Sequence, residues 1–324
     1  MQKPTIKIII GVIFFALIIF VKREYPVPST AEINLKPSAA ASPLLSGETP
    51  LPGPEENPIT NDIKNPSFNG ESGPGGLKNS DVPKVTAASM LLADIKDGSV
   101  YLKKEPGRRW PLASLSKLMT AEVAIDVIDQ KSEVVFRQTS AESRDQTTGK
   151  ATSSDSRYSA ADMMKTMLVG SVNEAAESLA DFYGRARFMD LMNKKAAALN
   201  MKDTYFDDPS GLSTANQSTA DDILLLARDI YENYPEIFAI TRNPNIKITE
   251  LVKNGKQTVK STNIFAGKPE FLGGKTGFTD QANGNLLSVF SLAGRPVFVL
   301  VLGSDDRFGE TTKLFDWFRN SYKL

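Results

Sequence analysis

The sequence predicts an α/β fold of the α+β type, in which strands from both ends of one domain form an antiparallel sheet. Two strands flank the turn Lys96-Asp97-Gly98 in "ASMLLADIKDGSVYLKKEPGRRW". Three more strands lie near the C-terminus, separated by turn signals at Asn283-Gly284 and Gly294-Arg295-Pro296. A block of helical segments lies between the two groups, so we expect non-local strand pairing with helices packed on the sheet.

The helical segments are identified by apolar residues that recur every three to four positions. A final amphipathic segment, "ETTKLFDWFRNSY", predicts one more helix after the last strand. The segments of the central block are "SLSKLMTAEVAIDVIDQ", "SAADMMKTMLVG", "NEAAESLADFYG", "ARFMDLMNKKAAALN" and "TADDILLLARDIYENY". These elements define one predicted domain over residues 85–324.

Residues 1–23 form a separate apolar segment. The run Ile8–Val21 spans only about 21 Å as a helix, and it reaches the length of a membrane span when it is counted from Pro4. A cleaved signal peptide is the alternative, because Lys3 and Lys7 precede the run, but no small-x-small cleavage site follows closely. We expect an uncleaved, single-pass anchor in the cell membrane, with the remaining chain on the extracytoplasmic side.

Residues 24–84 are rich in Pro, Ser, Gly, Asn and Glu and show no apolar periodicity. Such a segment cannot bury enough surface to offset its ordering entropy, so we expect a disordered linker. Its root-mean-square reach would be about 40 Å. A domain on this linker could work at some distance from the membrane.

The composition restricts the chemistry of the chain. It contains 38 basic and 38 acidic residues, so no field of one sign favours a nucleic acid partner. It has no cysteine, which excludes disulfides, thiolate nucleophiles and cysteine-based zinc sites. It has no histidine, which excludes a Ser-His-Asp triad and histidine-ligated metals. A serine hydrolase built from this chain therefore needs another base.

Ser114 and Lys117 form the one Ser-x-x-Lys sequence of the chain, at the start of a predicted helix. Positions i and i+3 share a helix face, which brings the hydroxyl and the amine together. A lysine acts as a base only when neutral, and burial, a nearby cation and a helix N-terminus all favour the neutral form. The simpler interpretation makes Ser114 an N-cap and Lys117 a solvated helix residue.

Ser171 and Asn173 lie at another helix start, directly after the apolar segment "MMKTMLVG". A hydroxyl and a side-chain amide in this position can relay a proton and hold a substrate amide. The structural alternative is a capping box, because Glu174 follows Ser171 by three positions.

Lys275, Thr276 and Gly277 form the third candidate, in "FLGGKTGFTD". A phosphate-binding loop is excluded, because its first glycine would fall on Pro269 and the segment continues into strands. At a strand edge, Gly277 would let substrate backbone approach, while Lys275 and Thr276 would bind a carboxylate. A Lys275 cation would also help to keep Lys117 neutral. The structural alternative is a glycine-rich strand with an exposed lysine.

In the order Ser-x-x-Lys, Ser-x-Asn, Lys-Thr-Gly, the three motifs resemble the signature of penicillin-recognising enzymes. Residues 85–324 resemble the D-alanyl-D-alanine carboxypeptidases of peptidase family S11, which are low-molecular-mass penicillin-binding proteins. The resemblance implies a DD-peptidase/β-lactamase-like fold with a five-stranded antiparallel sheet, flanking helices and an all-helical region. The segments that carry it are "RRWPLASLSKLMTAEVA", "MLVGSVNEAAESLADF", "FDDPSGLSTANQSTADDILLLA" and "LGGKTGFTDQANGNL".

The resemblance implies a role for each residue of the first two motifs. Ser114 would be the acylated nucleophile and Lys117 its base. Ser171 and Asn173 would assist proton transfer and substrate binding. The implied reaction is attack on a D-Ala-D-Ala peptide bond, release of the last D-alanine and hydrolysis of the acyl-enzyme.

The substrate contacts are implied in the same way. Lys275 and Thr276 would hold the terminal carboxylate, and the backbone N–H groups of Ser114 and Phe278 would form the oxyanion hole. The expected partners are peptidoglycan peptides that end in D-Ala-D-Ala, with β-lactams as covalent inhibitors. We expect membrane contact through the N-terminal segment, and no cofactor, metal or nucleic acid.

Three features depart from the family pattern. Val172 replaces the glycine that is usual in the middle motif, and Phe278 stands where histidine is common. The resemblance does not include the family's usual C-terminal β-rich domain and membrane-binding tail, for which the N-terminal run is expected to substitute as anchor. These differences bear on substrate preference and membrane geometry more than on the chemistry.

Two other functions remain open from the sequence. A β-lactamase needs a carboxylate that activates water, typically in Glu-x-x-Leu-Asn, and the chain has no such run. A non-catalytic wall-binding or β-lactam-sensing domain would keep the pocket, and the unusual Val172 supports it. The complete set of motif lysines and hydroxyls favours the carboxypeptidase, acting through a Ser114 acyl-enzyme.

Overall fold

The computed structural model of the chain describes residues 82–137 and 156–321. The predicted anchor, residues 1–23, and residues 24–81 of the predicted linker lie outside this part of the chain. None of the helices that it does describe is both long and apolar enough to cross a bilayer. The proposed domain boundaries therefore stay predictions.

The described residues form strands at both ends of the domain and helices between them. The strands are β1 (Ser89–Asp94), β2 (Val100–Lys104), β3 (Trp110–Pro111), β4 (Glu133–Val135), β5 (Arg157–Ser159), β6 (Gln217–Ser218), β7 (Asn245–Glu250), β8 (Gly255–Lys260), β9 (Phe271–Thr279), β10 (Asn283–Leu292) and β11 (Arg295–Ser304). The helices are α1 (Lys117–Val127), α2 (Ala160–Val169), α3 (Asn173–Tyr183), α4 (Arg185–Ala198), α5 (Ala220–Asn233), α6 (Pro235–Thr241) and α7 (Arg307–Ser321), with a 3-10 helix at Ala113–Ser116.

A five-stranded sheet with the order β2-β1-β11-β10-β9 forms the centre of the fold. All of its neighbouring strands are antiparallel. The N-terminal hairpin joins the C-terminal strands through β1 and β11, where Leu91 lies opposite Leu300. The predicted fold class, and the predicted completion of the sheet by non-local pairing, are therefore confirmed.

The central strands are buried on both faces, so alternate residues belong to two different hydrophobic cores. In β11, Leu300 and Leu302 belong to the larger core, on the side of helices α1–α6. Val299 and Val301 belong to the smaller core, which includes Leu314 and other residues of α7. This two-sided burial explains why the strand is the nearly continuous apolar run "VFVLVL".

The structure contains several short elements that the sequence analysis did not predict. They are helix α6 and three two-stranded sheets, formed by β3 with β6, β4 with β5 and β7 with β8. Strand β9 is the edge strand of the main sheet, and its outer edge lies against the 3-10 helix. This contact brings the sheet edge and the helical region together at the residues that the motifs single out.

Candidate active site

Ser114 lies in the 3-10 helix, which continues directly into α1. Lys117 is the first residue of α1, and its Nζ contacts Ser114 Oγ at 2.8 Å, as the i, i+3 spacing predicts. The preceding Ala113 has a φ of 48°, an unusual backbone conformation for a residue with a side chain. The simpler interpretation is wrong, because Ser116 is the N-cap residue of α1 and Lys117 is fully buried.

The Lys117 amine has three polar contacts. Besides Ser114 Oγ, its Nζ contacts Asn173 Oδ1 at 2.7 Å and the main-chain oxygen of Ser210 at 2.5 Å. The last two atoms can only accept hydrogen bonds. A neutral amine that donates both of its N–H groups to them directs its lone pair at the Ser114 hydroxyl. This is the arrangement that a general base requires.

Burial lowers the pKa of Lys117 to about 7. The carboxylates of Asp208, Glu177 and Glu174 act in the opposite direction and raise it. Burial was one of the predicted causes and is confirmed. The two lysine cations do interact, because the Lys117 cation lowers the pKa of Lys275, and the expected effect of Lys275 on Lys117 stays a prediction. The neutral amine is therefore well populated near neutral pH because the side chain is buried away from solvent.

Ser171 connects the second motif to the third. It has a φ of 58° and does not cap α3, whose N-cap residue is Val172, so the capping-box alternative is wrong. Its Oγ accepts a hydrogen bond from Lys275 Nζ at 2.7 Å. Lys275 is buried rather than exposed, and burial followed by the Lys117 and Arg307 cations lowers its pKa well below the usual value.

The Lys-Thr-Gly sequence of β9 lies directly beside Ser114. A Cβ atom on Gly277 would lie 2.9 Å from the oxygen of Leu112 and 3.3 Å from the nitrogen of Ser114, so glycine permits this close approach. Thr276 Oγ1 contacts Thr262 Oγ1 at 2.7 Å. Phe278 follows with 57% of its surface exposed. Gly277 therefore lies against the backbone at Ser114 and Lys275 contacts Ser171, so the third motif borders the other two.

The loop before β6 also supports the site, although no motif in its sequence predicts this role. Ser210 contributes the main-chain oxygen that contacts Lys117. Asn216 Nδ2 donates to Ser116 Oγ at 2.9 Å and fastens the loop to the start of α1. A main-chain carbonyl has no sequence signature. The available signal was the cluster of Asp, Ser, Gly and Asn residues in "FDDPSGLSTANQ".

The fold and the site agree with a sequence comparison. The sequence model of a family described as D-alanyl-D-alanine carboxypeptidase, peptidase family S11, matches residues 77–306. The chain belongs to this family. Within the part that the structure describes, no group of acidic residues is arranged to hold a metal ion.

Individual members of the S11 family extend this result. The D-alanyl-D-alanine endopeptidase of Pseudomonas aeruginosa is 33% identical over 247 residues, which cover 72% of this chain and 77% of the relative. The carboxypeptidase DacB2 of Mycobacterium tuberculosis is 28% identical over 247 residues, covering 73% and 83%. Penicillin-binding protein D2 of Listeria monocytogenes, solved in its ampicillin-bound form, aligns with a TM-score of 0.65 and 28% identity, covering 73% of this chain and 98% of that one.

The two residue replacements that depart from the S11 pattern, Val172 and Phe278, occupy different environments. Val172 is half-buried and packs against the larger hydrophobic core, where it lines a small cavity with Met163 and Ile248. Its neighbours Ser171 and Asn173 still contact Lys275 and Lys117, respectively. The valine side chain therefore packs in the helical core and leaves these contacts of the site in place. Phe278 instead lies exposed, where it can contact substrate.

Proposed function

We propose that the protein is a serine-type D-Ala-D-Ala carboxypeptidase that removes the terminal D-alanine from peptidoglycan stem peptides. The observation that carries this proposal is the buried Lys117 amine, 2.8 Å from Ser114 Oγ, with two hydrogen-bond acceptors at its other contacts. Membership of the S11 family, and a relative named as a carboxypeptidase, support the same reaction.

In the acylation step, Ser114 Oγ attacks the carbonyl carbon of the penultimate D-alanine while its proton passes to Lys117 Nζ. The backbone N–H groups of Ser114 and Phe278 stabilise the oxyanion, supported by the close approach of β9 to the 3-10 helix. The peptide C–N bond then breaks, and the departing amine takes a proton that Lys117 delivers, directly or through Ser171. A water molecule hydrolyses the resulting ester and regenerates the serine.

Lys275 and Thr276 hold the carboxylate of the departing D-alanine. A carboxylate beside Lys275 favours the protonated form of this lysine, which offsets the effect of burial on its pKa. The charge-assisted contact is therefore formed when substrate arrives. Thr262, which contacts the Thr276 hydroxyl, helps to orient it toward the carboxylate.

The experiment that tests this proposal compares Ser114→Ala with Ser116→Ala. Ser116 is the second serine of the motif, and its buried Oγ bonds to Ala113 O and Asn216 Nδ2, which is a structural role. We expect Ser114→Ala to lose both labelling by a fluorescent penicillin and D-alanine release. Ser116→Ala should keep labelling while losing about 1 kcal/mol of unfolding free energy. Labelling that persists in Ser114→Ala would refute the assignment.

Endopeptidase activity on cross-linked peptidoglycan is the second candidate. The relative from Pseudomonas aeruginosa, which is more similar to this chain than DacB2 is, is named an endopeptidase. The same acyl-enzyme chemistry serves both reactions, because both cleave a bond after a D-alanine. Incubation with a monomeric pentapeptide and a cross-linked dimer, analysed by chromatography, separates the two activities. Cleavage of the dimer alone would favour the endopeptidase.

The alternative functions give different time courses with β-lactams. A β-lactamase would hydrolyse nitrocefin through many turnovers, whereas a carboxypeptidase forms a long-lived adduct. A sensor domain would form the adduct and release no D-alanine from peptides. Measurement of nitrocefin turnover together with D-alanine release distinguishes all three.

We also propose that residues 1–23 anchor the chain in the cell membrane and that residues 24–84 act as a linker, with the catalytic domain on the extracytoplasmic side. The apolar run and the composition of the linker support this arrangement. Fractionation should recover the full chain with membranes after a high-salt wash, and a variant lacking residues 1–23 in the soluble fraction. Intact mass spectrometry would reveal cleavage if the segment is a signal peptide.

A further inference from the structure

The loop between α4 and β6 is pinned against the start of α1. Its ends are joined by two main-chain hydrogen bonds between Tyr205 and Gln217. Thr120 Oγ1, on α1, donates to the oxygen of Pro209 at 2.6 Å. Gly211 has a φ of 84°, and a Cβ atom there would lie 1.8 Å from the oxygen of Ala113. The loop is therefore built to lie directly beside the nucleophile and its base.

A single buried carboxylate organises this loop from the inside. Asp208 Oδ1 accepts hydrogen bonds from three main-chain nitrogens that follow Pro209 and from Ser210 Oγ at 2.8 Å. Its Oδ2 accepts from the nitrogen of Ser213 at 2.5 Å. The contacts of Oδ1 with main-chain nitrogens are 2.7 Å to Ser210, 2.5 Å to Gly211 and 3.3 Å to Leu212. All of these groups donate, so the carboxylate oxygens serve only as hydrogen-bond acceptors.

The carboxylate acts on Lys117 in two ways. Asp208 accepts hydrogen bonds from both the main-chain nitrogen and the hydroxyl of Ser210. These bonds hold Ser210 in one orientation, in which its main-chain oxygen accepts a hydrogen bond from Lys117 Nζ. Asp208 also supplies a buried negative charge that raises the pKa of Lys117 without forming an ion pair with it. Other charged groups also act on the two buried lysines. Glu174 and Glu177 of α3 raise the pKa of Lys117. Lys117 itself and Arg307 of α7 lower the pKa of Lys275, on β9.

We propose that Asp208 is a positioning residue that aims the Ser210 carbonyl at Lys117 and holds a fixed negative charge beside the amine. This inference rests on the proposed role of Lys117 as the base. The carbonyl directs the amine lone pair to Ser114, which raises the acylation rate. The charge opposes the effect of burial on the pKa of Lys117, so it sets the pH below which acylation fails.

The test is the pH dependence of acylation in Asp208→Asn, with Asp207→Asn as the matched control. Asp207 is exposed and contributes its main-chain nitrogen to the loop, where it donates to Asn216 Oδ1. The rate constant for acylation by a fluorescent penicillin is measured from pH 4.5 to 9. We expect Asp208→Asn to lower the plateau about tenfold and to move the acid limb about one unit to lower pH. The pH profile of acylation by Asp207→Asn should superimpose on that of the original protein.

A uniform loss of rate in Asp208→Asn, with the acid limb unmoved, would overturn the inference, because it would show that Asp208 only supports the loop. Absence of acylation in the original protein would instead refute the proposed function. If circular dichroism shows that Asp208→Asn does not fold, Asp208→Glu replaces it. This variant keeps the charge and displaces the carbonyl, so we expect a lower plateau with an unshifted limb. A shifted limb in Asp208→Glu would contradict the role of the charge.

Discussion

Two lysines share one dry site, and their protonation governs what the site can do. Lys117 and Lys275 are both buried, and neither forms an ion pair with an acidic side chain in the described part of the chain. A protonated amine is costly in such surroundings, which lowers the pKa of each lysine. Each amine contacts one serine hydroxyl, Ser114 or Ser171. The site therefore contains two amine–hydroxyl pairs, Lys117 with Ser114 and Lys275 with Ser171.

The acylation rate should depend on pH through Lys117. The neutral amine is the active form, and the pKa of this group is about 7, so the rate should be half-maximal near pH 7. Below that value it should fall about tenfold for each pH unit, and above pH 8 it should level off. Stopped-flow acylation by a penicillin measures this profile. A rate that keeps rising to pH 10 would mean that the lysine has its ordinary pKa.

The side chains of the site could be predicted from the sequence because each motif carries a chemical pattern. Spacing and residue type single out Ser114, Lys117 and Lys275, and the structure brings them together with Ser171 and Asn173. Their catalytic roles stay predictions. The carbonyl of Ser210 could not be predicted, because every residue has one and only the fold decides where it points.

At the scale of elements, helix α1 contains charged residues that are buried on more than one side. Lys117 faces the site, and Glu122 lies fully buried farther along the same helix. Lys195 of α4 is 3.5 Å from Glu122 and also pairs with Asp126 at 3.0 Å and Asp229 at 3.8 Å. Neither carboxylate oxygen of Glu122 has a hydrogen-bond partner among the described residues. Burial accordingly raises the pKa of Glu122 well above its usual value.

The substitution Glu122→Gln should cost little stability at pH 8, about 1 kcal/mol or less, because it removes a charge that burial already disfavours. A carboxyl group whose pKa is raised on folding stabilises the protein at acidic pH. That stabilisation is lost as the pH rises through the raised value. Urea unfolding at pH 5 and pH 8 should therefore show a smaller pH dependence in Glu122→Gln than in the original protein.

The matched control is Glu232→Gln, which lies exposed on α5 and should leave the pH dependence of unfolding unchanged. A loss of more than 3 kcal/mol in Glu122→Gln at pH 8 would contradict the interpretation. It would show that the charged pair with Lys195 stabilises the contact between α1 and α4.

The elements that the sequence predicted are those with long apolar periodicity, and those it missed are short. Helices α2, α3 and α5 and strands β10 and β11 bury many apolar side chains, which leaves a clear pattern. Helix α6 has only seven residues, too few for a periodic signal. Strands β7 and β8 do alternate, with Ile246 and Ile248 facing inward between polar residues, and Asn254-Gly255 is a turn signal. Their many lysines obscured this pattern.

At the scale of the whole molecule, one buried amide joins the sheet to the segment that carries the nucleophile. Asn285 of β10 donates through Nδ2 to the oxygens of Pro111 and Leu112, at 2.8 and 3.0 Å. Its Oδ1 accepts from the nitrogen of Gly303 at 2.9 Å. These bonds connect β10, β11 and the residues just before Ser114. The position of the nucleophile is therefore coupled to the integrity of the sheet.

The substitution Asn285→Ala should lower the unfolding free energy by about 2–3 kcal/mol, because it removes three hydrogen bonds between the buried amide and the main chain. It should also slow acylation about tenfold, since the residues just before the 3-10 helix lose their hydrogen bonds to β10. Calorimetry and penicillin labelling measure the two effects. Ser291→Ala, at the other end of β10, is the control and should change neither. Full activity in a destabilised Asn285→Ala would show that the site is independent of the sheet.

The contact between the Ser210 oxygen and Lys117 has a consequence for inherited variation. That oxygen belongs to the main chain, so no change of codon can delete it. Variants that impair the base through this contact must arise at the residues that hold the carbonyl in place, such as Asp208, Gly211 and Asn216. A library of all single substitutions, screened for slower penicillin labelling, should therefore return substitutions in this loop as well as at the motif serine and lysine.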